Sequence, residues 1–344
     1  MNLIGLDIGY GLIKAVEVSV DKNKTELYNI AKASASEINL LSDSEASLKR
    51  GKEFLTDFVM QNDFLGKIVN VGVPQALTYI KISTFPNLKG RELENAIRLE
   101  LEQESPIPIN DASKSFQILP KVSNDSDKVD VLEVIAPISL TKKLLNIVKS
   151  SGMKISVLEP TALSNTRGII DEGIDNPSTL IVDIGEKNTD IVIYSDFALR
   201  FTRSVATGFE SIVKSVAQEL DLEIVQAAEY VKAYGLVADK LDGKIKDAIV
   251  PIYSIILNEI KRSITFFETR HSSNLIRRVV LCGGGGLIPG VVVYTANFLS
   301  VEVQISNPWN RFTSLGRYQD RQAELEDIGP LFTTAVGLAL KGVS

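Results

Sequence analysis

Leu3-Ile4-Gly5-Leu6-Asp7-Ile8-Gly9-Tyr10-Gly11-Leu12-Ile13-Lys14-Ala15-Val16-Glu17-Val18 and Leu180-Ile181-Val182-Asp183-Ile184-Gly185-Glu186-Lys187-Asn188-Thr189-Asp190-Ile191-Val192-Ile193-Tyr194 carry one pattern twice. Each is an apolar run, an Asp-Ile-Gly turn and a second apolar run. A single shift of 176 positions brings Asp7 onto Asp183, Gly9 onto Gly185 and Val16 onto Val192. A repeat that falls on two hairpin turns, and not on generic core, implies two related half-molecules facing one ligand. Turns whose backbone N–H groups converge make anion sites. A nearby carboxylate can hold a hydrated metal ion. Nucleotide phosphate bound between two lobes is the first expectation.

Either turn alone also reads as a β-hairpin with a glycine turn, because such turns are common. On the functional reading, the N–H groups of residues 9–12 meet a phosphate and Asp7 meets a metal-bound water. Lys14 reaches the phosphates if its strand position faces the cleft. Cys282-Gly283-Gly284-Gly285-Gly286-Leu287-Ile288-Pro289-Gly290 is more specific. Four glycines between an apolar strand and a helix let backbone approach a planar or phosphorylated ligand. The spacing is not that of a dinucleotide fingerprint. Glu159-Pro160-Thr161-Ala162 reads either as a helix start whose acid suits the helix dipole or as a carboxylate that orients an attacking water.

Working outward, 344 residues suggest about two domains. A net charge of −6 argues against a large nucleic-acid footprint, which needs a basic face. One cysteine, Cys282, excludes an internal disulfide framework, and one histidine, His271, removes most histidine chemistry. No basic-then-apolar leader opens the chain. No apolar run approaches the roughly 20 residues of a membrane span. These features predict a cytoplasmic protein that reaches a membrane only through partners.

Along the chain, three apolar runs predict an antiparallel meander over residues 3–33, and a second meander follows at Thr179–Arg203. Helical spacing is expected at Ser44–Met60, Lys89–Glu104, Leu140–Ser150, Gly208–Leu220, Glu223–Tyr234, Gly243–Arg270, Pro289–Leu299 and Pro330–Leu340. Residues 80–158 read as strand–helix–strand–strand–helix–strand, with a polar loop at Ser123–Lys128. Asn307–Asp327 reads as a polar connection, its Arg311, Arg317 and Arg321 solvated.

Taken in order, these motifs resemble the phosphate-1, connect-1, phosphate-2 and adenosine motifs of the actin/hexokinase/Hsp70-like ATPase superfamily. Thr334-Ala335-Val336-Gly337-Leu338-Ala339 is similar to connect-2. Arg91 to Glu100, then Glu102-Gln103 and Pro106-Ile107-Pro108, resemble the inserted subdomain of the PilM family of type IV pilus assembly proteins. Val131–Pro137, Val157-Leu158-Glu159-Pro160 and the ending Gly337-Leu338-Ala339-Leu340 do so as well. The related FtsA proteins carry a C-terminal membrane helix, which is not expected here.

The resemblance implies an α/β, actin-like (RNase H-like) two-lobe fold with a small inserted α/β subdomain. The first lobe would be 1–79, 159–177 and 311–344, the inserted partner-binding subdomain 80–158, and the second lobe 178–310. ATP and Mg²⁺ would lie between the lobes, with Asp7 and Asp183 flanking the metal through water. Gly9, Tyr10, Gly11, Leu12 and Lys14 would meet the phosphates from one side, and Gly185, Glu186, Lys187, Asn188 and Thr189 from the other. Gly283, Gly284, Gly285 and Gly286 would lie along the adenosine, with Gly208 and Glu210 nearby. Glu259 and Arg262 would touch the ribose or base, or else form a solvated helix face. Glu159 would be the catalytic carboxylate. The family's first loop usually carries small hydroxyl residues where Tyr10-Gly11-Leu12 stands, and its second usually has Ala and Thr where Glu186 and Asn188 stand, so hydrolysis is expected to be slow or absent. The implied partner is the N-terminal cytosolic peptide of a PilN-like membrane protein. It would lie at the seam of the inserted subdomain and would bring the chain to the inner membrane. A homo-oligomer is compatible with this reading. A metabolite kinase of the same superfamily and an FtsA-like filament-forming division protein are the alternatives.

Overall fold

The computed structural model describes every residue except 23, 36, 37, 39, 43, 121–126, 172–175, 272, 273 and 344. The opening apolar runs form β1 (Asn2–Ile8), β2 (Leu12–Asp21) and β3 (Lys24–Ser34), an antiparallel meander. Helix α1 (Glu45–Gln61) follows, with the Ser44 hydroxyl accepting the Ser47 N–H as its N-cap. Strand β4 (Ile68–Val73) returns parallel to β1.

The inserted unit contains β5 (Tyr79–Pro86), α2 (Arg91–Glu104), β6 (Ala112–Ile118) and β7 (Lys128–Pro137), its strands ordered β5-β7-β6. Of the expected loop Ser123–Lys128, residues 123–126 lie outside the described residues. Leu93, Ile97 and Leu101 of α2 are buried on one face of this sheet with Val129, Val131 and Ile135.

Helix α3 (Ile138–Ser150) and strand β8 (Lys154–Pro160) differ from the expected grouping. β8 pairs in parallel with β4, so the first sheet is ordered β3-β2-β1-β4-β8. Leu144, Ile147 and Val148 of α3 bury with Leu55 and Phe58 of α1. Both elements therefore lie with the first lobe, and the inserted sheet ends at Pro137, ahead of the expected boundary at 158. Sequence order alone could not separate the two strand–helix runs, because both sheets accept the same apolar alternation.

After α4 (Thr161–Ile169), the second meander comprises β9 (Thr179–Ile184), β10 (Thr189–Ser195) and β11 (Ala198–Val205). Helices α5 (Phe209–Leu220), α6 (Ile224–Tyr234) and α7 (Lys244–Arg270) follow, then β12 (Arg278–Cys282), α8 (Val291–Leu299) and β13 (Glu302–Ile305). This sheet is ordered β11-β10-β9-β12-β13 and repeats the pairing of the first. The sequence repeat is thus a repeat of topology.

The last helix, α9 (Gln322–Ala339), begins earlier than expected and contains Pro330. The segment before it is packed at several points, while Arg321 stays exposed beside Glu324 as expected. Trp309 is buried and its indole donates to the Leu325 carbonyl at 2.5 Å. Arg317 donates to Asn29, and Arg311 donates to the Arg167 carbonyl and pairs with Asp171. Helices α4 and α9 cross between the two sheets. A Cβ on Gly5 would stand 2.0 Å from the Ala335 carbonyl, and one on Gly337 would stand 1.8 Å from the Ser164 carbonyl. Only hydrogen at these positions lets α9 lie this close to β1 and α4.

Candidate functional site

The two Asp-Ile-Gly turns are built alike. Gly9 N–H donates to the Leu12 carbonyl at 3.0 Å, and Gly185 N–H donates to the Asn188 carbonyl at 2.9 Å. These two amides close their own turns, so the expectation that every N–H of residues 9–12 meets a phosphate is corrected for Gly9. An anion would be met by the residues inside each turn.

The turns open into one cavity of about 550 Å³ between the lobes. Pockets of roughly 300–1,000 Å³ suit small molecules and cofactors. From the first lobe Asp7, Gly9, Tyr10, Gly11, Leu12 and Lys14 line it. Asp183, Gly185, Glu186, Lys187 and Asn188 line it from the second, with Gly283 and Gly284. The turns also touch each other. The Lys187 ammonium lies 5.2 Å from the Tyr10 ring centre. A Cβ on Gly11 would come within 2.9 Å of the Glu186 carboxylate. Gly283 has φ +74°, and its backbone abuts Asp183 and Ile184 so closely that a Cβ would lie 2.3 Å from Asp183 Oδ1. The glycine run begins where backbone must pass under a carboxylate.

Other expected residues stand elsewhere. Thr189 is buried and donates to the Thr207 carbonyl at 2.7 Å. Gly208 caps α5 against the backbone of Gly185 and Glu186, so it supports the second turn from behind. Glu210 pairs with Lys214 on the α5 surface. Gly285 and Gly286 are buried, and Gly285 leaves room for the Ile184 side chain. Glu259 is taken up by Arg203 and Arg262, and Arg262 is largely exposed. Glu159 does not line the cavity. Its buried carboxylate accepts from Arg167 Nη1 at 2.6 Å and from the Ser164 hydroxyl at 2.9 Å, with Lys341 Nζ 3.7 Å away. A carboxylate neutralised in this way is not placed to orient a water in the cavity.

Antiparallel pairing sets Asp7 directly opposite Lys14, and Lys14 Nζ sits 2.5 Å from Asp7 Oδ2. Burial opposes the lysine's charge, but Asp7 and Asp183 more than offset it and raise the Lys14 pKa. Burial raises the Asp183 pKa, with Lys14 and Asn165 pulling the other way and Asp7 adding to the rise. Asn165 on α4 donates to Asp183 Oδ2 at 2.9 Å and accepts from Thr334 on α9 at 2.7 Å. One hydrogen-bonded line therefore runs from the second sheet through α4 to α9.

Sequence reasoning missed several cavity residues. Asp190 lies opposite Asp183 across the β9–β10 hairpin, and burial pushes its pKa up to about 7 against a lowering bond from Ser204. Its period-2 position relative to the turn was a usable signal. Thr161, Lys32, Lys232 and Thr334 also line the cavity. Lys232 comes from α6, and nothing in its spacing alone marks it.

Among solved structures, the chain is similar to that of a PilM–PilN type IV pilus biogenesis complex, with a TM-score of 0.86, 23% identity, and coverage of 99% of this chain and 98% of that one. The ethanolamine utilization protein EutJ from Carboxydothermus hydrogenoformans matches at TM-score 0.60 and 15% identity, covering 99% and 90%. MreB5 of Spiroplasma citri bound to ADP matches at 0.54 and 15%, covering 99% and 96%. These likenesses establish the expected actin-like two-lobed α/β fold. Among curated proteins, the cell division protein FtsA of Neisseria meningitidis is 24% identical over 56% of this chain and 49% of its own length. FtsA of Escherichia coli K12 is 21% identical over 58% and 51%. The chain spans about half the length of these curated relatives. Residues 5–343 match the family described as type IV pilus assembly protein PilM, and with nearly the whole chain covered, the protein belongs to the PilM family.

Proposed function

We propose that the interlobe cavity binds ATP with Mg²⁺. The chain then acts as a cytoplasmic scaffold of a type IV pilus machine, held at the inner membrane by the N-terminal cytosolic tail of a PilN-like protein. The observation that carries the nucleotide reading is the convergence of both Asp-Ile-Gly turns and the Gly283–Gly284 backbone on one cavity. Family membership and the likeness to a PilM–PilN complex support the pilus role and the partner. The ADP-bound MreB5 structure supports a nucleotide.

The residues fit a nucleotide phosphate through Lys14 and the two turns. Their fit to a metal is narrower. Among the described residues no group of three or more His, Cys, Asp or Glu could hold an ion by itself. Asp7 already faces Lys14, and Asp183 already accepts from Asn165. That set suits a hydrated Mg²⁺, whose other ligands are phosphate and water. The ion would neutralise phosphate charge; Lys14 would orient the phosphates, and Asn165 and Thr334 would hold Asp183 in place. Slow or absent turnover is favoured because Glu159 is engaged by Arg167. The partner peptide would lie at the seam between the inserted unit and the first lobe. The FtsA matches support a filament-forming reading as the second choice, and a polymerisation assay separates the two.

Calorimetry with Mg²⁺-ATP on the wild type and Asp183→Ala tests the nucleotide reading. Micromolar-range binding that weakens at least about tenfold in the variant, a loss of about 1.4 kcal/mol, is expected. Absence of wild-type binding at millimolar ATP, or unchanged affinity in the variant, rejects it.

A further inference from the structure

The inserted unit is continuous in sequence with the first lobe yet rests on the second. Strand β5 follows the Gln75–Leu77 turn at the end of β4, and β7 leads directly into α3, so both roots are first-lobe elements. The sheet face opposite α2 buries Leu119 and Leu132 in one cluster with Val192, Tyr194 and Leu199 of β10 and β11, and Ile82 packs against it half-buried.

Polar ties reinforce this contact. The Arg200 side chain on β11 is only 3% exposed. Its Nη1 donates to Asp130 Oδ2 at 3.0 Å and its Nη2 to the Pro120 carbonyl at 3.0 Å, both in the inserted unit. The same guanidinium donates to the Ser195 and Asp196 carbonyls of its own hairpin. Three positions along β11, the Arg203 carbonyl accepts from Gln75 Nε2 at 2.8 Å. Gln75 N–H in turn donates to the hydroxyl of Thr161, a cavity residue. Removing a partner from a buried guanidinium leaves an uncompensated charge, which is strongly unfavourable. Rotation of the second lobe would therefore carry the inserted unit along, bending at its two roots, sooner than break these bonds.

We propose that the inserted unit is a brace across the cleft, and that Arg200 is the positioning residue that couples the state of the cavity to the orientation of the partner-binding unit. The path is short. The second turn leads into β10, which carries Asp190 at the cavity, and β10 pairs with β11 throughout. By linkage, whatever nucleotide does to the inserted unit, occupation of that unit does to nucleotide affinity. This inference rests on nucleotide binding in the cavity.

Hydrogen exchange on the full chain, with and without Mg²⁺-ATP, tests it in the wild type, Asp130→Asn and Arg200→Met. In the wild type, ATP should slow exchange in the cavity turns and also, by about fivefold or more, in β5–β7, which do not line the cavity. In Arg200→Met the turns should stay protected by ATP while the response of β5–β7 is lost. Asp130→Asn leaves the other three Arg200 contacts in place, so it decides the matter even if Arg200→Met does not fold; its β5–β7 response should shrink. An unchanged β5–β7 response in Asp130→Asn, or none in a wild type whose turns are protected, overturns the brace. A wild type with no protected turns overturns the nucleotide reading and the brace with it.

Discussion

Glu159 and Asp190 show how burial divides two carboxylates between structure and site. Glu159 is a partner of Arg167 within a buried network that also reaches the Gly337 carbonyl. Glu159→Gln should lower unfolding stability by about 3 kcal/mol, because it strands the Arg167 charge, and should leave ATP affinity within about twofold. Denaturant titration and calorimetry check this. Lost affinity at unchanged stability would return Glu159 to the cavity. Asp190 holds its proton to about pH 7, against an ordinary value of 3.8, because it is buried. The folded chain thus binds that proton where the unfolded chain has released it. Stability falls as pH rises through this window and levels off above it. Wild-type stability relative to Asp190→Asn should accordingly drop between about pH 4 and pH 7. The drop is at most roughly 4 kcal/mol, less what cavity water screens. A flat difference across that range would show that Asp190 ionises normally. The register that sets Lys14 opposite Asp7 was legible in the turn, though the pair itself was not drawn from it. The capture of Glu159 by Arg167 was not legible, because i to i+8 across a strand–helix junction has no fixed geometry.

At the scale of elements, the α4–α9 crossing decides where the lobes meet. Gly337→Ala would put a methyl against the Ser164 carbonyl and push the helices apart. It would also disturb the Asn165–Thr334 bond that positions Asp183. A loss of several kcal/mol is expected, in the range of overpacked cores, together with weaker ATP binding. Gly284→Ala is the contrast. Its Cβ would meet only Leu331 at 3.9 Å, so the fold should persist while a methyl enters the cavity. Thermal melts of the two variants should separate, the first well below the wild type and the second within a few degrees. Equal melting points would mean that α9 relaxes freely around position 337. The sequence signalled both meanders because apolar alternation and an Asp-Ile-Gly turn are local. It misgrouped α3 and β8 because their partners, α1 and β4, lie far away in sequence. It started α9 late because a proline usually marks a helix boundary, whereas the Pro330 carbonyl is held by the Gly283 N–H and the helix continues through it.

At the scale of the molecule, two five-stranded sheets of equal topology enclose the cavity, and the inserted unit has a three-stranded sheet of its own, none of whose strands line that cavity. Among the described residues no helix is long and apolar enough to cross a membrane. The large exposed apolar side chains among the described residues include Phe116 and Ile118 on β6, Val225 on α6 and Val293 on α8. Membrane attachment through this structure alone would require an amphipathic face of sustained length. A tail that docks at the seam of the inserted unit needs only a groove and a few anchoring side chains. If recruitment runs through such a tail, the chain expressed alone should remain in the supernatant after high-speed centrifugation. It should move to the membrane fraction when a PilN-like membrane protein is co-expressed, and return to the supernatant when the cytosolic tail of that protein is deleted. Fractionation with immunoblotting reads all three states. Stable sedimentation with membranes in the absence of any such partner would exclude tail-mediated recruitment and favour direct binding of an FtsA-like kind.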